Sequence, residues 1–344
     1  MQESKVGYTF IVLASVVIVF AGIKSASEII VPFLLSLFLA IILAPLYNFF
    51  RKKKLPESLS ILLVITVFLL FIFLVMSLIG SSAREFSSKI DFYAQQLTAY
   101  QLQLLDMSAQ YGIELPKEEF VSMVDTKYIM NFARTIFDSL ASVFTNGFVI
   151  VLTVIFMILE GTHFTQKLHV SDSKKQTLQQ VKEIFSKIKE YMVLKAIISL
   201  ITALVIWVSL LLIGTDYAFL WAFLAFLLNF IPNIGSIIAA VPAVLLTIIQ
   251  LGSFSAMLVA ILYTTINVVI GSIIEPKVMG RGLGLSTLVV FLSLLFWGWL
   301  LGPIGMLLSV PLTIMAKIIL DSNQSTKWIA TLLGDGSNLT SKEK

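Results

Sequence analysis

Apolar residues fall into seven stretches without a charged side chain, and the length of each stretch predicts how it crosses a membrane. Five stretches match one helix of about 20 residues, which spans a bilayer core of about 30 Å. These five cover residues 6–23, 29–50, 58–83, 139–159 and 196–215. The other two, 217–274 and 282–316, are too long for one crossing. The pattern predicts an all-α polytopic membrane protein with about five full spans, an additional helix and two broken helical hairpins.

Each long stretch is interrupted near its middle by residues that disrupt helices. The interruptions read NFIPNIG at 229–235 and GPIG at 302–305. Proline lacks the N–H that a helix needs, and glycine permits non-helical backbone. The halves on either side are shorter than the roughly 20 residues of a full span, so each stretch is expected to fold back as a re-entrant hairpin. The predicted tips and hinges are Pro232, Gly235, Pro242, Gly302, Pro303, Gly305 and Pro311.

The two interruptions belong to a repeated unit. The first reads FIPNIGSIIAAVP at 230–242 and the second reads LGPIGMLLSVP at 301–311. Both place proline just before Ile-Gly, and Val-Pro follows in both. One apolar helix precedes each hairpin, at 196–213 and at 256–274. The order "helix, then broken hairpin" therefore occurs twice.

Loop charges predict that the two units are inverted. Basic residues at 51–54 and an excess of lysine in 161–195 indicate cytoplasmic loops. Segment 84–138 holds five Lys or Arg against eight Asp or Glu and is predicted to lie outside. On this count both termini are cytoplasmic, and the hairpins enter the membrane from opposite sides. Inverted repeats with broken helices are typical of secondary transporters, which bind their solute near the midplane.

These boundaries predict five parts of the chain. The first stretch is expected to be a retained span rather than a signal peptide, because Lys24 follows it without a small-residue cleavage site. The parts are spans one to three at 1–83, an extracytoplasmic helical segment at 84–138, span four with a cytoplasmic amphipathic helix at 139–191, the inverted-repeat transport core at 192–320, and a cytoplasmic tail at 321–344.

The outer segment carries a heptad seam, in which apolar residues alternate at spacings of four and three. The seam consists of Phe86, Ile90, Tyr93, Leu97, Tyr100, Leu104, Met107 and Tyr111. One interpretation is an intramolecular helical hairpin closed by Phe120, Val124 and Phe132. The other is self-association of the protein. The two interpretations are compatible with each other.

Composition narrows the chemistry. Hydrophobic residues make up 58% of the chain and charged residues 13%, about half of the roughly 25% that is usual in soluble domains. The net charge of +4 is expected to reflect cytoplasmic Lys and Arg rather than nucleic-acid binding. The absence of cysteine excludes disulfides, zinc thiolates and cysteine catalysis. With no nucleotide-binding or catalytic motif either, we expect neither an enzyme nor a cofactor.

Three amides are candidates for binding a polar solute. Asn229 and Asn233 flank the first break, and Asn267 lies in the middle of the following helix. An amide offers both donors and acceptors where broken helices leave backbone groups unpaired. The structural alternatives are capping of the hairpin tip for Asn229 and Asn233, and an interhelical hydrogen bond for Asn267.

Two charges near the core are candidates for a latch or coupling pair. Glu275 lies at the inner end of the helix at 256–274, and Arg281 follows it in the next loop. An ionisable residue at membrane depth indicates function by default. The alternative is an interfacial salt bridge from Glu275 to Lys277 or Arg281.

Three sequence runs resemble a known family. They are FIPNIGS at 230–236, EPKVMGRGLGLSTLVVFLSL at 275–294 and FWGWLLGPIGMLLSVPLT at 296–313. These runs are similar to the autoinducer-2 exporter family of bacterial permeases, and the resemblance extends over essentially the whole chain. It implies a protein of the bacterial cytoplasmic membrane that exports the quorum-sensing signal autoinducer-2, a small hydrophilic, sugar-like molecule. It also implies a homo-oligomer, with a pentamer as the expected form, and an elevator-like movement of the hairpin core.

Three functions follow as hypotheses. The first is a secondary exporter of a small polar solute by alternating access, with the hairpins bracketing a midplane site. The second is Na⁺(Li⁺)/H⁺ antiport, which other members of the family suggest and which needs a titrating carboxylate in the site. The third is a non-transporting oligomeric scaffold built on the heptad seam.

Overall fold

The structure is a computed structural model that describes residues 2–110, 135, 147–168, 175–232, 234–279 and 284–334. Every regular element within these residues is a helix, which confirms the all-α prediction. Five helices are long and apolar enough to cross a membrane: Ser27–Lys52, Glu57–Gln110, Glu183–Ile213, Ser253–Val278 and Thr287–Leu307. Shorter apolar helices accompany them at Phe10–Ser25, Gly147–Glu160, Ala218–Leu228 and Gly235–Leu251.

The described residues up to 168 include four helices that can be given bounds. They are α1 (Gln2–Ser25), α2 (Ser27–Lys52), α3 (Glu57–Gln110) and α4 (Gly147–Leu168). Helix α2 packs against α4 and, less extensively, against α3. The stretches predicted at 6–23 and 139–159 thus lie largely in helices, although only residues 147–159 of the latter are described.

Helix α3 continues well past the predicted end of the third span. The sequence 81–110 contains neither glycine nor proline, so nothing in it stops a helix. Of the seam, Phe86, Tyr93 and Leu97 are buried in one cluster with residues of the first hairpin. The N-terminal part of the seam therefore packs against the first hairpin of the same chain. Met107 is 47% exposed, and the proposed closing residues Phe120, Val124 and Phe132 lie outside the described residues.

Helix α5 runs from Lys175 to Ile213 without interruption. The separate amphipathic helix predicted along the inner membrane surface is therefore not separate but the first half of this helix. The residues from 175 to 213 include no helix breaker. The C-terminal part of its apolar face is covered, because Ile188, Tyr191 and Met192 are buried with Phe38 of α2.

The first predicted hairpin is present. Helices α6 (Ala218–Leu228) and α7 (Gly235–Leu251) pack against each other, and the break at 229–234 joins them. Gly235 permits the tight turn, because a Cβ there would lie 1.7 Å from the Leu228 carbonyl oxygen. Pro242 lies inside the continuous helix α7 and not at the tip, so its role as a hinge stays a prediction.

Helix α8 (Ser253–Ile266) follows the first hairpin and packs against α7. Its hydrogen-bonding pattern then changes to a π-helical segment over Asn267–Ile274, and the short helix α9 (Glu275–Met279) completes the span. π-Helical turns are rare and are frequent at functional sites. The sequence pattern predicted this span but not its π-helical part.

The second predicted hairpin is also present. It consists of α10 (Thr287–Leu307) and α11 (Ser309–Asp321), and the chain folds back inside α10 at Gly302, whose φ is 69° and ψ is −156°. Pro303 directly follows this break. A Cβ on Gly305 would lie 2.1 Å from the Trp297 carbonyl oxygen, which repeats the close contact of Gly235 in the first hairpin. Pro311 lies in the first turn of α11, where its missing N–H costs little.

The two hairpins occupy different hydrophobic clusters. The first is buried with the extension of α3, whereas the second is buried with α2 and the first half of α5. Helix α5 contributes to both clusters and contacts α6, α8 and α11. Helix α12 (Lys327–Leu332) packs against α11 at the end of the described chain. A long helix followed by a broken hairpin therefore occurs twice in the structure, around a shared α5.

The extension of α3 is bonded to both ends of the first hairpin. The Tyr93 hydroxyl donates to Asp216 Oδ2 at 2.7 Å, just before α6 begins. The Tyr100 hydroxyl accepts from the Ser253 backbone N–H at 2.5 Å, just after α7 ends. These two hydrogen bonds connect the residues just before and just after the first hairpin to α3.

Candidate functional site

A pocket lies between α5, the first hairpin and the helix that contains the π-helical segment. Its cavity volume is about 10 Å³, roughly the space of one water molecule, so its walls lie close together in this state. Five of its lining residues carry polar side chains: Thr202, Asn229, Ser236, Tyr263 and Asn267. The other lining residues are Ile206, Ala225, Ile266, Ile270 and Gly271. The lining therefore mixes polar and apolar residues, and none of these residues carries a formal charge.

Two rows of side chains form opposite walls of this region. Helix α5 contributes Lys195, Ser199 and Thr202, which lie on one face because they are spaced four and three apart. The opposite row is Tyr263, Asn267, Gly271 and Glu275, each four residues after the last. Thr202 of the first row and Tyr263, Asn267 and Gly271 of the second line the pocket. The two rows are joined by the contact between Lys195 and Glu275.

Asn229 carries an amide from the hairpin tip into this region. Its Nδ2 donates to Ser199 Oγ at 2.9 Å. The residue stands at the C-terminal cap position of α6, but its side chain bonds to α5 rather than to the tip. The structural alternative, in which the Asn229 side chain caps the hairpin tip, therefore does not describe this hydrogen bond.

Asn267 lies on the opposite wall, at the first residue of the π-helical segment. Its Oδ1 lies 3.2 Å from the position that a Cβ of Gly271 would occupy. Glycine at 271 thus leaves room for the amide. The structure brings together two of the three predicted amides, Asn229 and Asn267, in one pocket.

Tyr263 is a pocket residue that the sequence reasoning missed. It is 3% exposed, and its hydroxyl has no hydrogen-bond partner. Its position four residues before Asn267 on the same helix was the available signal. Ser236, one residue beyond the tip glycine, was missed for a different reason, since serine is common at helix starts.

Glu275 pairs with Lys195, a residue that the sequence reasoning did not consider. Lys195 Nζ lies 2.5 Å from Glu275 Oε1, with the lysine side chain 2% exposed and the glutamate 20%. The expected partner Lys277 is instead exposed. The bridge joins α5 to the start of α9, which are far apart in the sequence, so local spacing gave no sign of it.

Several predicted site residues stay predictions. Asn233 and Arg281 lie outside the described residues, so their roles in solute binding and in the latch stay as proposed. The hairpin-two residues Gly302, Pro303 and Gly305 form a tip, but the residues lining the pocket come from hairpin one, α5 and the α8 span. The described structure therefore places the pocket beside one hairpin rather than between two.

The described part of the chain contains no cluster of side chains that could hold a metal ion. No group of three or more His, Cys, Asp or Glu side chains comes together there. Glu275, at the end of the row that begins with Tyr263, has its carboxylate bonded to Lys195.

Comparison with known proteins gives a consistent result. Residues 13–324 match the family described as AI-2E family transporter. The AI-2 transport protein TqsA of Escherichia coli (strain K12) is 39% identical over 94% of this chain and 95% of its own. A protein of Haemophilus influenzae named "Putative transport protein" is 42% identical over 95% of this chain and 96% of its own. Escherichia coli YhhT, with the same description, is 36% identical over 97% of both chains.

Proposed function

Because the chain belongs to the AI-2E transporter family, and is thus a multi-pass membrane transporter, we propose that it exports a small neutral polar solute, autoinducer-2. The name of TqsA specifies AI-2 as the solute of that relative. We place the protein in the bacterial cytoplasmic membrane with both termini inside. A homo-oligomer, with a pentamer as the expected form, and surrounding lipid are its proposed partners.

One observation carries this proposal: Asn229 and Asn267 line the same uncharged pocket although they lie on separate elements. Amides and hydroxyls both donate and accept hydrogen bonds, as the hydroxyl and carbonyl groups of a sugar-like solute require. A charged solute would need a compensating charge to offset its desolvation, and the lining side chains offer none.

Movement of the first hairpin supplies a route for alternating access. The Asn229 amide is held by Ser199 in this state, and this bond can be exchanged for one to the solute at little net cost. The hairpin tip then gains or loses its contact with α5 as the solute binds or leaves. We propose that the hairpin core moves as an elevator, with both hairpins entering from opposite sides.

The Asn229→Ala variant is expected to export autoinducer-2 at least about tenfold more slowly than the wild type at limiting concentration, because one lost bond worth about 1.4 kcal/mol changes binding tenfold. The measurement is uptake into everted membrane vesicles. Ser199→Ala is the matched control: it removes the same intrachain bond but keeps the amide for the solute, so its rate should stay near that of the wild type. Equal losses in both variants would contradict a solute contact for Asn229.

A second candidate, Na⁺(Li⁺)/H⁺ antiport, is favoured by one observation. Lys195 and Glu275 form a buried ion pair beside the pocket, and intramembrane ionisable pairs commonly take part in ion coupling. The scaffold hypothesis has no comparable support, because the buried residues of the heptad seam pack against hairpin one of the same chain.

A further inference from the structure

Tyr263 presents an unpaired hydroxyl to the pocket. The side chain is 3% exposed and belongs to the hydrophobic cluster of hairpin one, yet no partner accepts or donates at its oxygen. Burying a hydroxyl without a hydrogen bond costs free energy. Phenylalanine would fill the same space without that cost. Packing therefore accounts for the ring of Tyr263 but not for its hydroxyl.

Another buried tyrosine in the same cluster shows the contrast. Tyr93 is fully buried, but its hydroxyl lies 2.7 Å from Asp216 Oδ2 and 3.1 Å from the Tyr217 hydroxyl. That hydroxyl stabilises the fold through its partners. The hydroxyl of Tyr263 has no such partner within the protein, and Tyr263 lines the same pocket as Asn229 and Asn267.

Two of the other polar groups of the pocket already form hydrogen bonds within the protein. The Thr202 hydroxyl donates to the Ile198 carbonyl oxygen at 2.9 Å, and the Asn229 amide donates to Ser199. Tyr263 is therefore a free O–H donor beside the Asn267 amide, one turn away on the same helix. A ligand oxygen between these two groups would receive bonds from both.

We propose that the Tyr263 hydroxyl binds an oxygen of the transported solute and selects for uncharged solutes that carry a hydroxyl or carbonyl group there. This inference rests on the proposed function and adds to it the residue that sets specificity. A pocket built to bond a substrate oxygen rejects an analogue without it strongly, since the protein group then stays buried and unpaired. The occupied pocket satisfies Tyr263, whereas the empty one leaves it unsatisfied.

Tyr263→Phe tests the proposal through two effects of opposite sign. Export of autoinducer-2 into everted vesicles at limiting concentration is expected to fall by about tenfold or more. The midpoint of thermal unfolding of the purified, solute-free protein is expected to stay the same or rise, because an unsatisfied group has been removed. Tyr93→Phe is the control for stability: it removes a hydroxyl with partners, so its midpoint should fall.

A solute analogue with one hydroxyl replaced by hydrogen refines the test. If Tyr263 contacts the altered group, the wild type should discriminate against the analogue, and Tyr263→Phe should treat analogue and parent alike. Export by Tyr263→Phe at the wild-type rate and with the wild-type preference would overturn the proposal. A lower solute-free midpoint for this variant would also overturn it, because it would reveal a partner within the protein.

Failure of the proposed function gives a different result. In that case the wild type itself exports no autoinducer-2, and the thermal midpoint is measured with a set of neutral hydroxylated solutes instead. A solute that raises the midpoint of the wild type but not that of Tyr263→Phe would support the role of the hydroxyl. Equal shifts in both proteins would contradict it.

Discussion

Glu275→Ala is expected to lower the free energy of unfolding by about 3–5 kcal/mol, because removing one partner of a buried ion pair leaves an uncompensated charge. The charge left behind is the Lys195 ammonium, whose side chain is 2% exposed. The measurement is unfolding of the purified protein in detergent. Glu183→Ala is the matched control, since Glu183 forms an ion pair with Lys187 in which both side chains are about half exposed. Its loss should be about 1 kcal/mol or less.

The double variant Lys195→Met with Glu275→Gln separates stability from coupling. Replacing both members of a buried pair with neutral residues of similar size is often neutral or stabilising, so most of the lost stability should return. Export should not return if the Lys195–Glu275 pair itself takes part in coupling. Recovery of export together with stability would assign the pair a structural role alone.

The single variant Glu275→Gln addresses the antiport candidate. Exchange of Na⁺ or Li⁺ for protons by everted vesicles is followed with an imposed pH gradient, using Glu275→Gln beside the wild type. Loss of exchange in the variant would favour antiport. If the variant exchanged these ions as the wild type does, Glu275 would not be the titrating carboxylate that this candidate requires.

Gly235→Ala is expected to destabilise the protein by at least about 1–3 kcal/mol, the usual cost of overpacking. The added Cβ would lie 1.7 Å from the Leu228 carbonyl oxygen, which is backbone and cannot rotate away. Hairpin one would have to open. Gly305→Ala should have a similar effect on hairpin two, because its Cβ would lie 2.1 Å from the Trp297 carbonyl oxygen. Thermal unfolding and the yield of folded protein measure both.

Gly22→Ala is the matched control for these two variants. No atom lies within 4 Å of the Cβ that it would add. Alanine also favours a helix over glycine, so this change should be neutral or stabilise the protein by about 0.4–1 kcal/mol. If Gly235→Ala were as stable as Gly22→Ala, the close contact between Gly235 and the Leu228 carbonyl oxygen would be absent. The similarity between the tips of the two hairpins would then be lost.

Features that depend on local chemistry were predicted from the sequence. Gly302 adopts a positive φ at the predicted break, and Gly235 begins the second limb of hairpin one. A backbone conformation or a close contact that only glycine permits requires a glycine at that position, and this residue is visible in the sequence. The same reasoning identified Asn229 and Asn267 as site residues, because a polar residue within an uncharged apolar stretch indicates a hydrogen-bonding or binding role.

Helix boundaries inferred from charge were less reliable. The third span was expected to end near residue 83 and α5 to begin as a separate surface helix, yet both α3 and α5 continue. Charged residues mark where a helix leaves the hydrocarbon, not where the helix ends. Neither glycine nor proline occurs in 81–110 or in 175–213, so nothing there interrupts the two helices.

Long-range pairing was beyond the sequence pattern. Lys195 and Glu275 meet because two helices of the core pack together, and the residues between them in the sequence say nothing about that contact. The unpaired hydroxyl of Tyr263 was hidden for the same reason. A tyrosine in an apolar helix predicts burial, but whether its hydroxyl finds a partner depends on every element packed around it.

The central claim is that two hairpins enter the membrane from opposite sides and give alternating access to one pocket. Labelling of single cysteines by a membrane-impermeant maleimide, applied from each side, tests it most directly. The chain contains no cysteine, so each variant carries one reporter. Cysteines across 225–240 should react from one side and those across 298–310 from the other, with autoinducer-2 changing the rates near the tips. If both tips react only from one and the same side, the inverted-hairpin account is wrong.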